Sequence, residues 1–170
     1  MEATTSSKII REQTLVQMVN EYQTALLKLC YMYLHDTALA EDAVQETFLK
    51  AYKGLERFRG DCGQKTWLMR IAVNTCRDIQ RSTWFRHEDR RISPETQPYI
   101  SPTNTEESEE LAMAVVGLPS KYKEVILLYF YQDMDMREIA KTLGIALSTV
   151  SNRLKQAEKK LRTALEGRDY

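Results

Sequence analysis

Apolar positions recur along this chain at steps of three and four, the spacing of one helix face. From Leu15 they fall at Leu15, Val19, Tyr22, Leu26, Leu29 and Tyr33, which predicts a first helix. A second is expected from Ala38 to Lys53, with Ala40, Val44, Phe48 and Ala51 inward and Gly54 as its stop. The stretch from Leu55 to Lys65 carries Gly60 and Gly63 and reads as a loop, after which Thr66 is the expected cap of a third helix reaching Phe85. Further on, Glu106 to Val116 predicts a short helix, and Pro119 opens another through Val125, Ile126, Leu128 and Tyr129. Asp135 with Glu138 three residues later forms a capping-box signal for a helix from Met136 to Leu143. Gly144 then ends it in a left-handed cap, and Ser148 is the expected cap of a last helix to Leu165. No useful segment alternates with period two, so the fold class is all-α.

The prolines interrupt this pattern at one place. Pro94, Pro98 and Pro102 lie in a stretch without helical period, which predicts an extended linker over residues 89–107. It separates an N-terminal helical domain, residues 1–88, from a C-terminal one, residues 108–170. A chain of 170 residues suffices for two such small domains.

Composition removes several classes. With 43% hydrophobic residues the chain has enough for a core, and disorder is not expected. The longest apolar run, Val125 to Tyr131, is far below the roughly 18 residues of a membrane helix. The polar start, Met1 to Lys8, lacks an apolar leader segment, so a cytoplasmic protein without membrane insertion is expected. Cys30, Cys62 and Cys76 form no C-x-x-C pair, and His35 and His87 have no second ligand at zinc spacing. No metal or cofactor is expected. The glycine-rich phosphate loops and the nucleophile elbow are also absent, so no catalytic centre is predicted.

The charge total looks uninformative, with 24 basic residues against 24 acidic. By segment it is not. Arg57 to Arg91 holds nine basic residues and four acidic ones; from Leu147 onward six face three. Between these basic segments, Ile92 to Glu110 has five acids and no base, and upstream His35 to Glu56 has five acids and two lysines. Two basic surfaces flank an acidic tether.

On the third helix Arg70, Asn74, Arg77 and Arg81 share one face while Leu68, Ile71, Ala72, Thr75 and Ile79 share the other. Such a stripe is either a solvated arginine face or a nucleic-acid surface. The preceding Arg57-Phe58-Arg59-Gly60 adds an aromatic between two cations, the combination that holds exposed bases on single strands. In the C-terminal domain Ala140, Gly144 and Val150 supply the small crossing residue, the turn and the anchor of a helix-turn-helix. That leaves Ser148, Thr149, Ser151, Asn152, Lys155 and Gln156 outside, with Arg153 at the edge, suited to base edges and phosphates of a major groove. The same pattern also fits a helical hairpin that packs on another element.

Taken together, Asp42-Ala43-Val44-Gln45-Glu46-Thr47-Phe48-Leu49-Lys50-Ala51-Tyr52, then Phe58-Arg59-Gly60, then Thr66-Trp67-Leu68-Met69-Arg70-Ile71-Ala72-Val73-Asn74-Thr75, followed by the helix-turn-helix, resemble the sigma-70 superfamily of transcription initiation factors. The short two-domain layout resembles its extracytoplasmic function (ECF) group. The resemblance implies that Asp42, Gln45, Glu46 and Leu49 dock on the clamp helices of the polymerase largest subunit, with the flap as a further contact. It implies that Phe58, Arg59, Gly60, Asp61, Cys62, Arg70, Asn74, Arg77 and Arg81 read the minus-ten element and hold a flipped base. Ser148, Thr149, Ser151, Asn152, Arg153 and Lys155 would read the minus-thirty-five element. Where the family commonly has a basic residue after the valine this chain has Ser151, so Arg153 and Lys155 carry most of the charge. Trp67 is expected to brace the loop. The resemblance further implies RNA polymerase core, promoter DNA and an anti-sigma factor, in some members membrane-anchored, as partners, a stress- or envelope-linked regulon, and a linker threading a basic channel of the polymerase. A dimeric helix-turn-helix regulator that works without polymerase is the alternative.

Overall fold

A computed structural model describes the backbone of residues 2–86 and 106–167 and the side chains of residues 3–82 and 106–167. The predicted linker up to residue 105 and the cations Arg90, Arg91 and Arg168 lie outside the described residues. Among those described the secondary structure is helical throughout, in the order α1 (Glu2–Leu34), α2 (Thr37–Gly54), α3 (Gln64–Arg86), α4 (Glu106–Val116), α5 (Ser120–Ile126), α6 (Met136–Leu143) and α7 (Leu147–Glu166). A 3-10 turn, Leu55–Arg57, follows α2, and a π turn, Leu127–Tyr131, follows α5.

Helix α1 is longer than its apolar period. Its first turns bury nothing, yet Arg11 ties them down: the guanidinium pairs with Glu56 and lies 4.9 Å from the centre of the Tyr52 ring. His35, at φ 52°, turns the chain, and the Asp36 carboxylate accepts from Leu39 N–H at 2.9 Å to start α2. Helices α1, α2 and α3 pack around Leu26, Leu29, Ala40, Ala43, Val44, Ala51, Leu68, Ala72 and Val73. Helix α3 begins at Gln64, ahead of the expected cap. Gly63 C=O accepts from Trp67 N–H at 3.1 Å, and Thr66 is a buried residue inside the first turn.

Helix α4 spans Glu106–Val116, the bounds expected of it, and takes in the last two residues assigned to the linker. Its first turn carries Glu106, Glu107 and Glu109, acids that a helix N-terminus favours over an extended segment. Pro119 precedes α5 with ψ 144° and its carbonyl accepts from Tyr122 and Lys123. At the π turn Tyr129 is 39% exposed and meets Phe130 edge-on at 4.9 Å. The capping box of α6 forms reciprocally at 2.8 Å in both directions, and Gly144 takes φ 66°. Helix α7 starts at Leu147, with Ala146 as its uncapped boundary residue, and Ser148 lies within its first turn.

The two helical domains share one core. Lys123, Glu124, Val125, Ile126, Leu127 and Leu128 are buried in succession, because α5 is held between α7 on one side and α1 with its neighbours on the other.

Candidate nucleic-acid interface

Two surfaces carry the predicted chemistry, and the fold treats them differently. The first begins where α2 ends. Gly54 packs so close to Trp67 that a Cβ there would stand 3.1 Å from the indole, which brings the loop back over α3. Trp67 stacks on Phe58 with ring centres 4.6 Å apart, as bracing of the loop requires. Gly60 follows with φ 75°, a turn that an L side chain would strain. These elements enclose an open cavity of about 320 Å³ lined by Lys50, Gly54, Arg57, Phe58, Trp67, Ile71 and Asn74. That is the lower end of the roughly 300–1,000 Å³ of small-ligand sites. It has an aromatic wall, a hydrogen-bonding amide and two cations at the rim, the equipment for one unstacked base. Asn74 Oδ1 accepts from Arg77 Nη1 at 3.3 Å, which leaves the amide NH₂ as the donor.

The cations of the stripe point elsewhere. Arg77 forms a two-pronged pair with Glu124 of α5, Nε to Oε1 and Nη2 to Oε2, both 2.7 Å. The Glu124 side chain is 3% exposed and that of Arg77 31%. Tyr33 O–H donates to the same Oε1 at 2.8 Å, and Lys123 Nζ donates to the Tyr33 carbonyl at 3.2 Å. Hydrogen bonding to Glu124 holds the Arg77 guanidinium protonated above its ordinary range, against the opposing effect of burial. Burial first, then the Glu124 charge, push the Tyr33 phenol up, and burial lowers the Lys123 ammonium. Arg70 donates to the carbonyl of Lys141, and Lys65 to that of Gln132. Arg59, Asp61 and Arg81 are exposed and Cys62 is half-buried, outside the cavity lining.

Sequence reasoning had no signal for Glu124, Lys123 or Tyr33 as partners of this face. A charged pair in a helical run reads as solvent-facing. Lys50, which lines the cavity, was visible only as a charge, whereas Arg57 stood out as a cation flanking Phe58.

The second surface is the start of α7. Val150, Leu154 and Ala157 anchor the helix against Ile139. Ser148, Asn152, Lys155 and Gln156 stand exposed, with Thr149, Ser151 and Arg153 half-buried beside them. The predicted docking residues form a third surface: Asp42, Gln45, Glu46 and Leu49 are all exposed on α2, and Leu49 is 55% exposed. Gln45 and Leu49 border an apolar groove of about 590 Å³ against α1, floored by Leu15, Val19, Val44 and Phe48, while Asp42 and Glu46 face the α3 side. Among the described residues no cluster of His, Cys, Asp and Glu could hold a metal ion, and no helix is long and apolar enough to cross a membrane.

Family models for Sigma-70 region 2 and Sigma-70 region 4 match residues 18–86 and 108–161. The chain is 31% identical over 155 residues to the ECF RNA polymerase sigma factor SigL of Mycobacterium tuberculosis, covering 88% of this chain and 87% of that one. It superposes on CnrH, solved in complex with the cytosolic domain of CnrY, with a TM-score of 0.72 and 26% identity over 93% of this chain and 91% of that one. The fold also matches the sigma factor RpoE of Bartonella quintana, solved with the anti-sigma factor NepR, at a TM-score of 0.79 and 21% identity, covering 93% and 99%.

Proposed function

Because this chain belongs to the sigma-70 family, in its ECF group, we propose that it is a dissociable subunit of RNA polymerase that selects promoters and has no catalytic centre of its own. The observation that carries this reading is the base-sized cavity between Phe58, Trp67 and Asn74 in the same chain as a helix-turn-helix with an open recognition face. Domain 1–88 docks on the core enzyme through Asp42, Gln45, Glu46 and Leu49 and captures an unpaired minus-ten base. Flipping costs a few kcal/mol, and stacking with edge hydrogen bonds returns about as much. Domain 108–170 reads the minus-thirty-five duplex through α7. The cytoplasm is the compartment where such a factor meets polymerase and DNA.

An anti-sigma protein is the partner that would control it, in view of the match to sigma factors solved with such partners. A separate dimeric regulator is not favoured, since family membership places both domains in polymerase-dependent initiation. Run-off transcription with purified core polymerase tests the reading. Promoter-specific transcripts that need this chain are the expected result, and DNA binding as a dimer with no such transcripts would overturn it.

A further inference from the structure

The turn that brings Arg57 and Phe58 to the base cavity has little to hold it by itself. None of its residues, Leu55–Arg57, is fully buried, and no side chain caps it. The bond that closes it, from Phe58 N–H to the Leu55 carbonyl, is long at 3.3 Å. Gly54 joins it to α2 at a point where a Cβ would crowd the Trp67 indole at 3.1 Å. Glycine solves the close approach and at the same time makes the junction the most pliable point of the backbone. Arg11 spans that junction from outside. Its guanidinium lies over the Tyr52 ring, two residues before Gly54, and its Nη1 donates to the Glu56 carboxylate, two residues after it. A planar guanidinium can stack and pair at once, which is what a brace across a hinge requires. The Arg11 side chain is 24% exposed, and its Nε is buried without an acceptor. An unpaired buried donor costs free energy, so Tyr52 and Glu56 must hold this pose against it. Arg11 is seated for the task because it extends the core-facing line of α1 through Leu15 and the fully buried Met18.

We propose that Arg11 is a positioning residue for base capture: by clamping Tyr52 and Glu56 across Gly54 it sets the angle at which the turn delivers Arg57 and Phe58 to the cavity. Arg11 does not line the cavity itself and acts only through Glu56. It also lies upstream of residues 18–86, the stretch that matches region 2, so the brace is a device of this chain's own leading helix. Without it the turn pivots at Gly54, the Phe58 ring leaves its stack on Trp67 for part of the time, and apparent strand affinity falls with the fraction of loops in the receiving pose. The leading turns of α1 thereby gain a role, although they bury nothing. This inference rests on the reading of the cavity as the seat of an unpaired minus-ten base.

The test uses the full chain in a Trp84→Phe background, which leaves Trp67 as the sole tryptophan. Arg11→Gln should red-shift Trp67 emission and strengthen its quenching by acrylamide, with no DNA present. Bound to core polymerase, the same variant should form heparin-resistant complexes about fivefold shorter-lived, the weight of one partly exposed pair with its ring contact, on a promoter fragment that the unaltered chain transcribes. Arg11→Lys, which keeps the charge without the planar stack, should fall between the two, and affinity for core polymerase should not change. Glu56→Gln breaks the same pair from its exposed end, 64% accessible, and should reproduce both effects, so it decides the matter where Arg11→Gln does not fold. Unchanged Trp67 signals would overturn the brace, and faster deuterium exchange over residues 3–14 alone would reduce Arg11 to an anchor of α1. A loosened Trp67 with unaltered complex lifetimes would overturn the link to base capture, as would loss of core-polymerase binding. Absence of any transcript with the unaltered chain would instead fail the sigma reading, and the Trp67 signals, read without DNA, keep the two failures apart.

Discussion

The two surfaces proposed to meet DNA are built from similar residues and end in different states. On α3, Arg77 and Arg70 are spent on the C-terminal domain, while on α7 Asn152, Lys155 and Gln156 are exposed. The difference comes from what each helix packs against. Helix α3 lies at the seam between domains and contacts α6, whereas the polar side of α7 faces away from its contacts with α4, α5 and α6. A basic stripe is thus not a statement about availability. Arg77, a half-buried cation of the stripe, is the one whose carboxylate partner is almost wholly buried.

The largest perturbation of this contrast is Ile139→Ala. Ile139 is 0% exposed and anchors α6 under α7, so its truncation should cost about 2–5 kcal/mol in urea unfolding. Duplex binding through α7 should be lost while core-polymerase binding through α2 persists; simultaneous loss of both would show that the surfaces are not separable.

The pH response of the seam is the next effect. The Tyr33 phenol keeps its proton above its ordinary value of 10.0, chiefly through burial. Above that pH the unfolded chain has released this proton and the folded one has not, so stability is full below about pH 10 and falls as pH rises, by up to about 1.4 kcal/mol per unit. Tyr33→Phe should flatten this fall in urea titrations between about pH 9 and pH 11, leaving the dependence of Tyr22 and Tyr131, whose phenols burial also raises. An unchanged slope would remove Tyr33 from the account.

Asn74→Ala should weaken discrimination among bases in the minus-ten element by roughly 1 kcal/mol, one hydrogen bond, with core-polymerase binding intact. Equal affinity for all base variants in the unaltered protein would take Asn74 out of base reading. The smallest effect is on the open face: Arg153→Ala should reduce the salt slope of duplex binding by about 0.9, one phosphate. A slope that does not move would assign Arg153 to packing alone, in keeping with its half-buried position.

Local chemistry explains which features were legible. The Asp135–Glu138 box, the left-handed Gly144 and the anchor Val150 are set by neighbours a few residues apart, and each is where the spacing predicts. The helix starts were less so. Helix α1 extends well before Leu15 because Arg11 finds Tyr52 on α2 and Glu56 in the 3-10 turn after it, and α7 starts before Ser148 without a side-chain cap. For the candidate site, the aromatic loop and Asn74 were readable as a set, since one loop and one helix face bring them together.

What the sequence determined by itself, then, is the helical class, the local caps and turns, and the order of basic and acidic segments along the chain. These follow from periodicity, capping and charge order, all of short range. Only the tertiary structure decided which surface is free. The pairing of Arg77 with Glu124 spans residues far apart in the chain and leaves no period or motif, because a buried ion pair is chosen by the approach of two helices and not by either one's own pattern.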